Sequence, residues 1–522
     1  MTKSLLLTTG LLLSTTLLFG QGAASDYADD AFRFSDASLN GTARFRGLGG
    51  NHAALGGDAS NLFGNPAGLG FYNRSELSIS PSLNLVSNQN NFLGAQTVGS
   101  NSKASIGQFS LVLAGGDKNN NQRWRRSSFG ISYAQTANFY DYIDARGTNN
   151  NQNSSIVQSY INAANDAKYS EAQLSDGFIP GERRADFREA AAYGLFLINP
   201  TEYSANSAGP PYTRFDANTP KDQRATLTRS GAQSQWSLAY AGNLDDKLYI
   251  GGSVSFTRLR YASEFNFVET PLGGRTFNNY GQINRFNVAG NGISASLGII
   301  YKLSPELQVG ATIISPTISS ARETFTQTLT ASAKDPNLQL KANAVDVITP
   351  YDNFDYTLQT PLRASGGATF FIGKAGFLTA TAEYVGYSGM RVRTSYFNTT
   401  QDNTDFKNDV KQSVMSSYQN VVNLRLGGEV RAGLLRLRAG VGYLPSAYKL
   451  DLDRVAKADR DKLLLSAGVG VRNQRFFADL SGSYLTTKSG ISPYQLPNDA
   501  DTPTVLTNNR NTNLTLSVGT FF

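Results

Sequence analysis

The last ten residues of the chain alternate between apolar and polar side chains. From Asn513 to Phe522, one face carries Leu514, Leu516, Val518 and Phe522, and the other carries Thr515, Ser517 and Gly519. A period of two places successive side chains on opposite faces of a β-strand. The pattern predicts a strand that is apolar on one face only, which is typical of the wall of a transmembrane barrel.

Similar alternation recurs throughout the chain and predicts thirteen earlier strands. These are 75–85, 107–113, 129–133, 236–240, 248–256, 293–301, 307–315, 354–371, 375–391, 420–430, 434–443, 463–471 and 476–484. With the last strand the total is fourteen, an even number, as a closed antiparallel bacterial barrel requires. The predicted fold class is all-β, a fourteen-stranded antiparallel transmembrane β-barrel over residues 75–522.

The lengths of the links between these strands depend on whether the preceding strand has an odd or an even number. Those after predicted strands 4, 6, 8, 10 and 12 are very short, and those after the odd-numbered strands are long. One exception, Gly115–Arg126, follows strand 2 and has about a dozen residues. Outer-membrane barrels have short periplasmic turns and long outer loops. A soluble β-sandwich has no reason to sort its loops in this way, so the links favour a barrel.

The N-terminus has the features of a secretory signal peptide over residues 1–24. Lys3 precedes the apolar stretch Leu5–Leu18, and the small residues Gly20 and Ala24 offer two cleavage points. An uncleaved anchor is the alternative, but acidic residues follow at once and no second apolar span appears. We therefore expect an exported protein of the outer membrane of a Gram-negative bacterium, in contact with its lipid and lipopolysaccharide. The C-terminal strand would be its signal to the barrel-assembly machinery.

Charge and composition exclude several other functions. The net charge of +7 comes from dispersed residues, whereas nucleic-acid binding needs basic residues clustered on one module. The chain has no Cys, and its one His is His52, which we interpret as a packing residue. Neither a transition-metal site nor a Ser-His-Asp triad fits this composition. We expect no enzyme, no metal and no cofactor.

Residues 25–74, before the first strand, are rich in Gly and Ala. The segment is too short for a domain, and a fourteen-stranded barrel is wide enough to need filling, since eight strands already pack solid. We predict that it forms a plug inside the lumen. A second unusual region, 138–231, has helix-like composition over Ser154–Ser175 and Arg183–Ile198 and would form an outer, partly helical insertion. It is either a cap or a surface insertion with no transport role.

Three motifs of the N-terminal segment resemble those of the FadL-type outer-membrane transporters of long-chain fatty acids and aromatic hydrocarbons. They are Arg46-Gly47-Leu48-Gly49-Gly50, Gly57-Asp58-Ala59-Ser60 and Asn65-Pro66-Ala67-Gly68-Leu69. Fainter likeness covers the mature chain apart from 138–231, which is longer than the family leads us to expect. In the family these motifs form the N-terminal hatch, so the resemblance implies hatch roles for Arg46, Gly47, Gly49, Asp58, Asn65, Pro66 and Ala67.

The resemblance also implies passive uptake of a hydrophobic small molecule. A ligand would bind at the outer face, a hatch movement would open a passage, and the ligand would leave sideways into the membrane at a kinked third strand. The alternation of predicted strand 3 falters at Gln135, Ala137 and Asn138. A bulge there would fit a lateral gate, and the end of the strand leaving the membrane would fit equally well. FadL-like barrels also include non-transporting partners of the type IX protein secretion system, which is the alternative function.

Charged residues also fall on the face opposite the apolar stripes of predicted strands 9, 10 and 11. They are Glu383, Arg425, Glu429, Arg436 and Arg438. Neighbouring strands would bring them together inside the lumen, where they either pair with one another or offer one Arg to an anionic head group. Arg258 and Arg260 lie about one bilayer crossing along strand 5, so we expect them to face lipopolysaccharide phosphate.

Overall fold

Fourteen antiparallel strands form one closed wall in the computed structural model, which describes residues 24–36, 39–116, 123–201, 211–348, 353–449 and 460–522. The strands are β1 Glu76–Phe92, β2 Ala95–Gly116, β3 Trp124–Asn138, β4 Lys221–Leu244, β5 Leu248–Pro271, β6 Phe277–Lys302, β7 Leu307–Ile314 continued by Ile318–Ala333, β8 Phe354–Gln359 continued by Arg363–Ile372, β9 Gly376–Val385, β10 Val421–Ala432, β11 Leu435–Leu444, β12 Lys462–Arg472, β13 Phe476–Ile491 and β14 Val505–Phe521. The fourteen-stranded barrel predicted from the sequence is confirmed. The predicted signal peptide lies outside the described residues except for Ala24.

Each strand pairs with its neighbours in the chain, and β14 pairs with β1 to close the ring. The closing ladder runs from the pair Glu76 and Phe521 to the pair Asn91 and Leu506. Two strands are interrupted where a proline, Pro316 in β7 and Pro361 in β8, lacks the N–H that a ladder needs. Because every wall strand has two neighbours, the wall closes on itself as a ring.

The apolar positions of each strand face outward from the barrel, and the polar positions between them face the lumen. On β14, Leu514, Leu516 and Val518 are about four-tenths exposed, at 43%, 44% and 39%, whereas Thr515 and Ser517 between them are fully buried. The same outward apolar exposure occurs on the other strands, for example at Leu424 and Leu426 of β10. The barrel therefore presents an apolar belt to its surroundings and a polar face to its lumen.

The short turns gather at one end of the barrel, which we call the turn end. They are 245–247, 303–306, 373–375, 433–434 and 473–475. At the opposite, outer end, the predicted long link after β1 is wrong, because β1 and β2 extend toward each other and meet in a two-residue turn at Leu93 and Gly94. Both turn residues have positive φ, as a tight hairpin of this kind requires. The sequence did not predict this extension because polar residues occupy both faces of Val86–Ser105, so apolar and polar positions do not alternate there.

The outer extensions carry ion pairs instead of apolar residues on their outward face. Arg224 pairs with Asp144, Arg285 with Glu264 and Arg322 with Asp355, with N–O distances of 2.7–2.9 Å. Arg258 and Arg260 are exposed on the same part of β5. Charged outward residues mark the part of the wall that stands beyond a hydrocarbon layer.

The region predicted as an insertion, 138–231, begins and ends as sheet. Residues Asp141–Asn149 form an outer segment of β3 that pairs with β4, so the described chain outside the wall is 150–201 and 211–220. That part contains the helices α3 Ile156–Asp166, α4 Glu171–Asp176 and α5 Arg188–Gly194. They pack on the strand extensions in an apolar cluster that includes Ile143, Leu227 and Phe265.

The remaining helices lie elsewhere along the chain. They are α1 Ala24–Arg33, α2 Ala43–Gly47 and α6 Thr400–Ser417, with 3₁₀ turns at Ala59–Leu62, Pro66–Phe71, Tyr387–Gly389 and Asp499–Asp501. Among the described residues, none of the helices has both the length and the apolar character that crossing a membrane requires.

Candidate functional site

Residues 39–72, which we call the lumen segment, contact the wall on many sides. Helix α2 packs on β11 to β14, and the turn Pro66–Phe71 packs on β3 to β6. Two capping residues shape the segment. Thr42 caps α2 by accepting the N–H of Phe45, and Asp58 caps the next turn by accepting the N–H of Ser60 at 2.8 Å. Thr42 also donates its hydroxyl to Asp58 at 2.9 Å, so the two caps hold the halves of the segment together.

Asn65 is fully buried and joins the lumen segment to two wall strands. Its side-chain amide donates to the carbonyl of Ala53 at 2.6 Å, and it lies 3.4 and 3.3 Å from the carbonyls of Ile299 on β6 and Ala311 on β7. Its side-chain oxygen accepts the N–H of Ala67 and so caps the turn that Pro66 begins. Each half of the amide is used, and an apolar residue could not make these contacts.

The wall carries glycines where the lumen segment comes closest. A Cβ on Gly298 would stand 1.8 Å from the Asn65 side chain, one on Gly310 2.0 Å from the Ala53 carbonyl, and one on Gly440 2.3 Å from the Gly49 nitrogen. Gly251, facing Pro66, and Gly427, facing Leu48, are similar. The sequence analysis missed these residues. They could have been recognised as glycines at strand positions whose side chains face the lumen. Only glycine lets another backbone approach the wall this closely.

The other predicted hatch residues are buried in the same segment. Arg46 is 3% exposed and donates to the side-chain oxygen of Asn40. Gly47 packs on Gly468 of β12, and Gly49 has a φ of +70°, in the left-handed region that suits glycine. His52 is buried beside the Phe45 ring, with its Nδ1 3.1 Å from the Gly50 carbonyl.

The predicted lumen charges divide into two groups rather than one. In the first, Glu383 lies 2.9 Å from Arg425 and 3.5 Å from Arg363, and accepts the amide of Asn423. Arg363, on β8, was missed by the sequence analysis. It also donates to the carbonyl of Ser35 at 2.5 Å, so this group ties the residues after α1 to the wall.

The second group lies nearer the turn end and centres on Glu429. Arg438 and Arg431 approach its carboxylate at 2.8 and 2.9 Å, and Arg44 of the lumen segment at 3.6 Å. Arg438 also binds Asp479 of β13 at 2.5 Å. Arg44 and Asp479 were not predicted. Within the described part of the chain, Arg436 donates to the backbone carbonyls of Gly433 and Leu435 and to no carboxylate, and it borders a cavity beside Glu429.

Strand β3 contains a bulge at the positions that were candidates for a lateral gate. Gln135 pairs with Ser234 and Ala137 with Gln233, so Thr136 is an extra residue of β3 in the ladder with β4, and its hydroxyl donates to the Gln233 carbonyl at 3.3 Å. The shift is characteristic of a β-bulge, which bends its strand. Asn138 pairs with Ala232 and ends the strand.

The ladder between β2 and β3 stops just before this bulge. Its last pair is Gln108 with Ala134, and no further pairing of β2 with β3 or its outer segment is present in the described residues. Beyond it, the outer segment of β3 meets the β1–β2 hairpin through side chains, as where Asn88 donates to Asp141 at 2.6 Å. At the outer end of this seam, beyond Gln108 and Ala134, side-chain contacts therefore take the place of backbone pairing in the described residues.

In the outer half of the lumen, aromatic side chains surround α1, and we call this surrounding the aromatic chamber. Tyr27 packs against Phe354, Tyr356 and Phe406 with ring centroids 4.9–5.7 Å apart, and donates its hydroxyl to Glu323. Phe32 stacks on Tyr418, and Phe34 contacts Phe139 and Tyr261. Phe139 directly follows the bulged strand β3, so the chamber reaches the wall where the β2–β3 ladder has ended.

Among the described residues, no group of three or more His, Cys, Asp or Glu side chains could hold a metal ion. No family model matches the chain, and no curated protein matches it.

Solved structures, by contrast, share its fold. The crystal structure of a FadL homologue from Pseudomonas aeruginosa superposes with a TM-score of 0.53 and 12% sequence identity, covering 93% of this chain and 99% of that one. The toluene transporter TodX of Pseudomonas putida gives a TM-score of 0.50 and 14% identity, with the same two coverages. A TodX deltaS2S3 mutant, described as a monoaromatic hydrocarbon channel, gives a TM-score of 0.50 and 13% identity. The chain therefore has the fold of the FadL-type barrels.

Proposed function

We propose that this protein is an outer-membrane channel for the passive uptake of hydrophobic compounds, with the lumen segment as its hatch. One observation carries the proposal: the aromatic chamber around α1 reaches the wall where the β2–β3 ladder stops. A ring-bearing or long apolar ligand would replace α1 against the same aromatic side chains, since both bury apolar surface. It would then leave sideways into the hydrocarbon layer at the bulge of β3.

The fold of the chain supports the substrate class, because the similar TodX barrel is a toluene transporter. Fatty acids and aromatic hydrocarbons are both candidates. The exported, outer-membrane location follows from the same proposal, with lipopolysaccharide facing Arg258 and Arg260, and the barrel-assembly machinery binding the C-terminal strand.

The test is uptake of labelled oleate and labelled toluene by cells with and without the protein. We expect faster uptake of at least one compound when the protein is present. Deleting Thr136 would remove the bulge and lower that uptake several-fold, while the heat-modifiable mobility of the folded barrel stays the same. Equal uptake with and without the protein would contradict the proposal.

A second candidate, a non-transporting partner of type IX protein secretion, is favoured by the ion-paired lumen. Two networks of buried charge line the barrel interior, around Glu383 and Glu429. A barrel that serves as a scaffold has no need of an apolar path. Equal uptake, together with loss of secreted cargo in cells that lack the protein, would favour this function.

A further inference from the structure

A cavity of about 230 Å³ lies in the lumen near the turn end. Six residues line it: Arg44, Glu429, Arg431, Arg436, Arg438 and Arg472. Arg431 and Arg436 flank the turn 433–434, and Arg472 directly precedes the turn 473–475. Arg431 is about one third exposed, so solvent reaches the cavity from this side.

The cavity has more positive than negative charge. Five guanidinium groups line it, while the carboxylates within 4 Å of them in the described residues are Glu429, Asp479 and Asp58. Three of the arginines share Glu429. Arg436 and Arg472 have no ion pair within the described residues. Like charges confined in a partly buried site repel one another, and an added anion would offset that repulsion.

The side chains that lack a carboxylate are nevertheless held in place. Arg436 donates to two backbone carbonyls at 2.7 and 2.9 Å. Arg472 lies over the rings of Phe521 and Phe477, 4.5 and 5.7 Å from their centroids. A guanidinium held in this way still has free N–H groups, and its planar fork fits the two oxygens of a carboxylate or phosphate.

We propose that this cavity binds an oxyanion, a carboxylate or a phosphate group, at the turn end of the lumen. The volume is several times the roughly 30 Å³ that one water molecule takes up in the liquid, so the anion fits with part of its hydration shell. Because Arg44 belongs to the lumen segment and the other arginines to the wall, the bound anion bridges the two. The site does not depend on which compound crosses the barrel.

The test is calorimetric titration of the full-length protein in detergent with inorganic phosphate and, separately, with hexanoate, in about 0.15 M sodium chloride to screen exposed charges. We expect at least one probe to bind. Binding of phosphate alone identifies a phosphate site, and binding of hexanoate alone identifies a carboxylate site. Binding of neither would overturn the proposal.

Two variants and a matched control locate the site. Arg436→Gln and Arg472→Gln should each weaken binding about tenfold, since each removes a charge-assisted hydrogen bond. Arg475→Gln removes the same charge from an exposed position in the neighbouring turn and should leave affinity unchanged. An equal loss in Arg475→Gln would show that only the overall charge matters and would overturn the proposal.

Heat-modifiable mobility reports whether each variant is folded. If Arg436→Gln fails to fold, Arg436→Lys keeps the charge and loses the planar fork, and should weaken binding by less than the loss seen with Arg472→Gln. Unchanged affinity in both Arg436→Lys and Arg472→Gln would also contradict the site.

Discussion

At the scale of single residues, Asn65 makes the most connections between the lumen segment and the wall. Its amide contacts carbonyls in Ala53, Ile299 and Ala311. Asn65→Ala should destabilise the packed segment by about 2–3 kcal/mol, because these buried acceptors lose a donor. We expect altered uptake and faster hydrogen exchange in residues 39–72, with the folded barrel retained. Asn73→Ala, at an exposed neighbouring position, is the control. Loss of the barrel itself would instead assign Asn65 to assembly.

Acidity should affect how firmly α1 is held. Burial raises the pKa of Asp30 from 3.8 to about 6, with Asp29 adding to the rise and Arg33 opposing it. A carboxyl whose pKa is raised by packing favours the packed state at low pH, and that contribution disappears as the pH rises through about 6. Two pKa units correspond to roughly 3 kcal/mol.

Hydrogen exchange of α1, corrected for its intrinsic pH dependence, measures this effect. Exchange in Ala24–Arg33 should speed up between pH 4 and pH 7, and Asp30→Asn should reduce that change. A wild-type profile that is flat with pH would exclude Asp30 as the controlling group.

The strand pattern predicted only some of the charged residues on the wall, since Arg363 and Asp479 also lie on wall strands and were missed. Glu383 and Arg425 were found because they share the inward parity of adjacent strands. Arg44 was missed because its partner Glu429 lies 385 positions away in the chain, beyond the reach of any local pattern. Asn65 was found only through family resemblance, and nothing in its neighbouring sequence predicts contacts with β6 and β7.

At the scale of elements, close approach between the lumen segment and the wall depends on inward glycines. Gly310→Ala would place a methyl group 2.0 Å from the Ala53 carbonyl, so the segment must shift. We expect faster exchange in residues 50–56 and greater permeability to large polar antibiotics. Gly366→Ala is the matched control, because a Cβ there meets nothing within 4 Å. Similar behaviour of the two variants would show that the contact at Gly310 is dispensable.

Element boundaries were predictable within the apolar belt and not beyond it. Inside the belt, lipid-facing positions must be apolar, so alternation marks each strand clearly. Beyond it both faces are polar, and the β1–β2 hairpin resembles a loop in sequence. The contact of α1 with α6 was also missed, because two helices separated by hundreds of residues share no sequence signal.

At the scale of the whole molecule, α1 and the lumen segment block the lumen, and the wall alone would leave it open. Deleting residues 25–72, with the signal peptide retained, should leave a folded barrel, since the strand ladders run between wall strands. Its polar interior would then fill with water. We expect ion conductance in planar bilayers that the full-length protein lacks. Matching conductance of the two proteins would mean that the lumen segment is not the barrier.

Closure of the wall by its first and last strands also constrains how the protein is made. Until β14 emerges from synthesis and export, β1 has one row of backbone N–H and C=O groups without a partner, and hydrocarbon offers none. Stepwise insertion of a growing chain would therefore be unfavourable at each stage. Biogenesis must wait for the complete polypeptide, which makes any truncation near the C-terminus a defect of the entire ring rather than a local one.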